Sequence, residues 1–294
     1  MATFDFEIRS ELMPDPWQHL RKLTSARIAL GRTGGSLPTG EVLKFSMDHA
    51  LARDAVWAEL DLDRLEAEVT DALSPAPPDT DLRKDAAVSA CGVVRVTTLA
   101  GDRATYLQRP DWGRKLSPDS ETKLTAVGPP EGVDVVIIVA DGLSALAAQR
   151  QAPEVLRPLV PALLAGGLSI GPVVLATQAR VGLQDEIGHR LRARCAVTLI
   201  GERPGLGTAD SLGAYLVFDP KPGNTDADRN CVSNIRPEGL PPAVAAETLF
   251  HLITQSLVRK LSGVRLKDER VLTGPAATTI LNETQIDRKT LVHE

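Results

Sequence analysis

The chain is short of aromatic residues, 3% in all, and carries a formal charge of −5. A general nucleic-acid binder needs a basic groove and stacking rings, so that class is excluded. Cysteine is scarce as well: Cys91, Cys195 and Cys231 are widely spaced, with no C-x-x-C pair to hold zinc and no even set to form a disulfide framework. With no signal-like apolar segment ahead of them, a reducing cytosolic compartment is expected. No apolar run approaches the ~20 residues a membrane span requires, the most apolar stretch being residues 133–140, so no membrane crossing is expected. The five histidines are dispersed, without the H-x-x-x-H spacing that sets two ligands on one helical face, and no metal site is predicted.

What is present is an ordinary globular composition. The 294 residues are 43% hydrophobic and 24% charged, enough for a substantial core in one large domain or two small ones. Apolar residues return at helical spacing over 17–29, 41–60 and 62–73, so the N-terminal part reads as helical. Between the first two helices, residues 31–40 contain four glycines and a proline and read as a loop. Pro75, Pro77 and Pro78 stop the third helix and mark a boundary, giving a helical domain at 1–78 and a second domain at 79–294 that ends in a polar tail. Residues 93–99 and 104–107, separated by Ala100-Gly101-Asp102, read as a hairpin.

Beyond Gly128-Pro129-Pro130 the pattern changes. Strand candidates at 133–140, 172–176, 196–200 and 214–218 alternate with helix candidates at 145–164, 183–193 and 243–262. Alternation with strands apolar on every position is the signature of a parallel sheet covered on both faces. The fold class is therefore α/β: a small N-terminal helical domain followed by a Rossmann-like three-layer domain with a mainly parallel sheet.

Several motifs fall short of a known chemistry. Gly35 to Gly40 has the glycine spacing of a P-loop, yet Glu41 stands where a phosphate-binding lysine belongs, and a carboxylate there repels phosphate. Gly205-Leu206-Gly207 begins like a dinucleotide fingerprint, but Asp210 replaces its third glycine. Asp141-Gly142-Leu143-Ser144 follows a strand directly, where open α/β sheets bind ligands; capping of the next helix explains the same residues equally well. Ser144 does not sit in G-x-S-x-G, so a hydrolase triad has no specific support. Residues 199–207 and 228–235 read as polar turns or loops at the ends of buried strands.

Five ordered stretches nevertheless carry a long resemblance: Thr24 to Arg32, Tyr106 to Arg114, Asp141 to Ser144, Gly201 to Gly207 and Asn230 to Ile235. In order and spacing they are similar to the small subunit of ethanolamine ammonia-lyase, over residues 17–267. The resemblance implies a heteromeric lyase whose large subunit, a (β/α)₈ barrel, holds the substrate, with adenosylcobalamin in the interface between the two. The reaction converts ethanolamine to acetaldehyde and ammonia by a radical mechanism, and the cofactor carries the hard chemistry. This chain would contribute no catalytic residue and would touch cobalamin through Val181, Glu202 and Cys231. No histidine lies in D-x-H-x-x-G, the pattern by which one large group of cobalamin domains offers an imidazole to cobalt, so the cofactor's own base is expected to stay on the metal. The implied setting is the cytoplasm, with enclosure in a bacterial microcompartment left open; the lead before Trp17 is shorter than in some family members, and the tail after Lys267 has no clear counterpart. Two rivals remain: a self-sufficient nucleotide-using α/β enzyme, and a structural partner that touches no cofactor.

Overall fold

The computed structural model describes residues 15–24, 26–74 and 92–268. Most of the proline-marked boundary, Cys91 and the tail from residue 269 lie outside the described residues.

The first segment departs from the helix expected at 17–29. It forms only a 3-10 turn at Gln18–Lys22 and then runs irregularly, with Ala29 and Gly31 at positive φ. Thr24 accepts a hydrogen bond from the Ala26 amide through its side chain, a local alternative to the helical ladder. Helix α1 spans Thr39–Trp57 and α2 spans Leu62–Leu73. The side chain of Asp61 caps α2 by accepting from the Arg64 amide.

Strand β1 covers Val93–Thr97, but the chain does not return as a hairpin. Asp102 accepts from the Thr105 amide and so caps a short helix α3, Arg103–Gln108, where a returning strand was expected. The partner of β1 is instead a distant strand, because a parallel ladder in a covered sheet buries Val96 more completely than a local pairing can. Next come α4 (Pro118–Val127), β2 (Val133–Ala140), α5 (Ala145–Ala165), β3 (Val173–Thr177), α6 (Leu183–Arg190), β4 (Ala193–Gly201) and β5 (Leu212–Phe218). Strand β6 (Arg229–Ile235) and α7 (Pro242–Arg259) complete the described fold. Three prolines lie inside α5 without ending it, since its apolar face, including Ala152, Val155, Leu159 and Leu163, is held against the sheet, α2 and α7.

The six strands form one sheet in the order β1-β3-β2-β4-β5-β6. The pairings among β1, β3, β2 and β4 are parallel, and those of β4 with β5 and of β5 with β6 are antiparallel. One face is covered by α2, α5 and α7 over a core that includes Leu65, Val69, Val135, Val197 and Leu216. The other face packs Val136, Ile138, Val174, Ala196 and Ile200 beneath α4 and α6. The result is the three-layer α/β architecture expected, extended by an antiparallel edge. That edge strand, β6, was read as a polar loop. It alternates buried Val232 with exposed Cys231 and Ser233, and a strand open on one side lacks the continuous apolar run of a central one. No helix among the described residues is long and apolar enough to cross a membrane.

Candidate functional site

The parallel strands end at one edge, and the loops leaving it are tied together by a buried ion pair. Asp141, immediately after β2, accepts from the backbone N–H groups of Gln178 and Ala179 at 2.9 and 3.1 Å. Arg103 stands 3.4 Å from the same carboxylate and donates to the Gly142 carbonyl at 2.8 Å. Burial pushes the Asp141 carboxyl upward, opposed by the two amides and the guanidinium. Asp141 therefore has its acceptors occupied by its own chain, and it serves to fix the loop after β3. Ser144 accepts from the Ala147 amide at 3.2 Å and donates to the Ala209 carbonyl, so it is the helix cap that its position allowed, not a nucleophile.

The same loop is clamped from its other side. The Tyr106 ring lies between two guanidiniums, with Arg103 and Arg180 at 4.8 and 4.3 Å from its centroid, and its hydroxyl donates to the Ala179 carbonyl at 3.0 Å. The Arg180 amide donates to the Gly113 carbonyl at 2.7 Å. A methyl group on Gly201 would meet the Ser144 carbonyl oxygen at 2.0 Å, so the ends of β2 and β4 approach as closely as they do because that residue has no side chain. Segments 106–114, 141–144 and 201–207, each weak as a motif, thus converge on one edge: the first two hold residues 178–180 in place, and Gly201 backs the 141–144 turn.

Val181 is half-buried at the end of that loop, two residues before α6, and packs against the core beneath α4 and α6. From there α6 is bound to the antiparallel edge by a buried polar network. Arg229 on β6 donates to Asp185 through both Nη atoms, at 2.9 and 2.7 Å. Gln184 is fully buried; with its amide nitrogen toward the sheet it donates to Thr198 Oγ1 and the Tyr215 carbonyl at 3.1 Å and accepts from Arg229 at 3.2 Å. Burial raises the Asp185 carboxyl, with the Arg229 hydrogen bonds acting in the opposite sense. This network sets the Val181 loop against the strand that carries Cys231.

On the same side of the sheet, Cys231 of β6 lies directly opposite Tyr215 of β5. The thiol is exposed and lies beside the Tyr215 side chain. Partial desolvation pushes both groups upward, and the Glu202 carboxylate nearby acts in the same direction, so both stay neutral at physiological pH. Glu202, one residue beyond β4, is held through Oε2, which accepts from Ser211 Oγ at 2.5 Å and from the Asn234 amide at 3.3 Å. A methyl group on Gly213 would stand 3.0 Å from Glu202 Oε1 and 3.3 Å from the Tyr215 ring. The glycine lets the carboxylate and the ring lie low over β5. The extensive helix contacts of β5 and β6 among the described residues are with α5 and α7 on the opposite face. Glu202, Gly213, Tyr215 and Cys231 therefore form a half-polar cluster on this face, with Gly213 buried, Glu202 and Tyr215 partly exposed and Cys231 exposed.

The three residues singled out from the sequence thus share one side of the sheet, Glu202 and Cys231 joined through Tyr215 and Val181 brought in by α6. Tyr215, Gly213, Gln184 and Arg229 were missed. Tyr215 carried the only legible signal, as an aromatic inside an otherwise aliphatic strand; the others gain meaning only from their partners.

Residues 14–267 match the family model of the ethanolamine ammonia-lyase light chain. The chain belongs to that family. It is 49% identical over 263 residues to the ethanolamine ammonia-lyase small subunit of Azotobacter vinelandii, covering 89% of this chain and 91% of the relative. The Pseudomonas aeruginosa small subunit is 48% identical over 270 residues, 90% and 93% of the two chains. That of Xanthomonas campestris is 47% identical over 257 residues, 87% and 88%. The light-chain family match stops near Lys267, where the polar tail begins.

Proposed function

We propose that this chain is the small subunit of an adenosylcobalamin-dependent ethanolamine ammonia-lyase and that its open sheet face closes over the cofactor. The large subunit brings the substrate site, and the pair turns ethanolamine into acetaldehyde and ammonia. The observation that carries the reading is the cluster of Glu202, Gly213, Tyr215 and Cys231 on one face of the antiparallel edge, polar at the carboxylate and phenol and exposed at Cys231. Cobalamin presents amide and ribose hydroxyl donors on its rim. Glu202, anchored through Oε2, keeps Oε1 for such donors. The residues fit a broad, neutral, amide-bearing group.

When bound, the cofactor supplies radical chemistry through its cobalt–carbon bond. This chain's residues bind and enclose. Glu202 orients the rim, Tyr215 and Cys231 form a floor that excludes water, and the Asp185–Arg229 pair keeps the Val181 loop beside it.

Deamination of ethanolamine by this chain mixed with a cognate large subunit and adenosylcobalamin tests the proposal, against each protein alone. Turnover only in the complete mixture is expected. Turnover by this chain alone, or turnover that does not need it, would refute the assignment. Glu202→Ala then separates cofactor contact from mere structural support: losing a charge-assisted hydrogen bond should weaken cobalamin affinity by about 1.5–3 kcal/mol. An unchanged affinity returns the structural-partner alternative.

A further inference from the structure

Helix α1 is the described helix that its own chain uses least. Of its 19 residues only Ala55 is buried. Val42, Leu43, Phe45, Met47, Leu51 and Trp57 are exposed, Leu43 and Met47 by 64% and 65%. At about 100° per residue these six side chains spread over roughly two-thirds of the helix circumference. A helix that is apolar on so many sides has no single stripe to lay on a core, and it is stable where protein surrounds it.

Glu41 and Asp48 of α1 are matched from within, while Lys44, Arg53 and Asp54 are exposed. Arg27 pairs with Asp48 at 2.9 Å and its guanidinium sits 5.2 Å from the Phe45 ring, while Arg21 pairs with Glu41 at 3.2 Å. The N-terminal segment thus occupies the side of α1 that carries Glu41 and Asp48 and leaves Leu43, Met47 and Leu51 outward. The position of the helix is equally informative. Arg103 donates from Nε to the Val56 carbonyl at 2.7 Å and from Nη1 to the Gly142 carbonyl at 2.8 Å. The C-terminal end of α1 is therefore fastened to the carboxyl edge of the parallel strands, the edge from which Val181 and Glu202 also project.

We infer that α1 inserts into an apolar groove of the large subunit, so that one partner covers both this helix and the open sheet face. The inference rests on the subunit assignment above and adds the surface that makes the contact. A second copy of this chain is a poorer occupant. A two-fold contact between identical helices covers one stripe of each and leaves the rest of the circumference in water.

The test is sedimentation velocity of the wild-type chain and of the Leu43→Glu/Met47→Glu double variant with a cognate large subunit. Hydrogen exchange of residues 39–57 is followed in the free and the mixed protein. Both side chains touch little of their own chain, so the variant should keep the wild-type circular dichroism and thermal midpoint; Leu43→Ser/Met47→Ser serves as the milder second variant. Association at least tenfold weaker in the variants, with α1 amides protected in the wild-type complex, is the expected result. Association within threefold of wild type, or α1 amides that exchange equally in both states, would overturn the inference while leaving the subunit assignment standing. Loss of self-association in the isolated variant with the mixed complex intact would overturn it in favour of a second copy. If the wild-type chains do not associate at all, the assignment fails and this inference with it.

Discussion

Strands β2 and β3 and strands β5 and β6 belong to one sheet, yet they live in different surroundings. Val135 to Ala140 of β2 and Val173 to Ala176 of β3 are buried on both faces, between α5 on one side and α4 and α6 on the other. On β6, Val232 is buried against the α7 side while Cys231 and Ser233 face outward. The covered half can only contribute stability, because its side chains have every neighbour they need. The antiparallel edge leaves polar groups and ring surface without a covering layer, and that is where a ligand or partner can be accommodated.

The comparison is broken most severely at the edge of the covered half. Asp141→Ala should destabilise the chain by about 3–5 kcal/mol, because it strands the Arg103 guanidinium in a buried place. Urea unfolding followed by fluorescence measures it, and a loss below about 1 kcal/mol would show that the ion pair is not what holds the loop. Leu159→Ala in α5 should cost about 2–5 kcal/mol through the cavity it leaves, whereas Ser233→Ala on β6 should stay within about 0.5 kcal/mol. Equal effects at the two positions would contradict the division drawn here.

Smaller effects sharpen it. Glu202→Ala should change the unfolding midpoint little, since a hydrogen bond at a partly exposed place contributes about 0.5–1.5 kcal/mol, while cofactor affinity in the complete enzyme falls. The cysteines give the finest discrimination. The Cys195 thiol, buried beneath α7 and pushed up to about 12, should resist iodoacetamide throughout the working range, while exposed Cys231 should react. Because the Cys231 thiol is also raised above its ordinary value, its rate should be low at neutral pH and climb only above the ordinary thiol range. Peptide mass spectrometry reads both sites; rapid labelling of Cys231 at pH 7 would contradict its neutral state.

The legible elements were those whose pattern is complete within one segment. The apolar run at β2 was read with the bounds that the fold shows, and α5 was recognised despite its three prolines because its apolar period continues through them. Helix α4 was not anticipated, though Ser117, which accepts from the Ser120 amide, and Pro118 form a sound helix start. Residues 104–107 read as a returning strand because Asp102 fits a turn, whereas its side chain caps the helix Arg103–Gln108. Strand β6 was invisible because half of its residues have no apolar environment to match. Val181, Glu202 and Cys231 were identified through family resemblance; neither spacing nor periodicity distinguishes them from a core valine, a turn carboxylate and an edge thiol.

The sequence by itself determined the layered α/β class, the cores of the parallel strands and the family, because local periodicity and long ordered similarity are properties of the chain in one dimension. The tertiary structure decided that the last two strands run antiparallel and stay open on one face. It also decided that a buried Arg229–Asp185 pair carries the Val181 loop to that face, and that α1 keeps its apolar sides outward. Those features depend on which distant groups meet, and the free energy of a buried charge or an uncovered ring is set by neighbours that no local window contains.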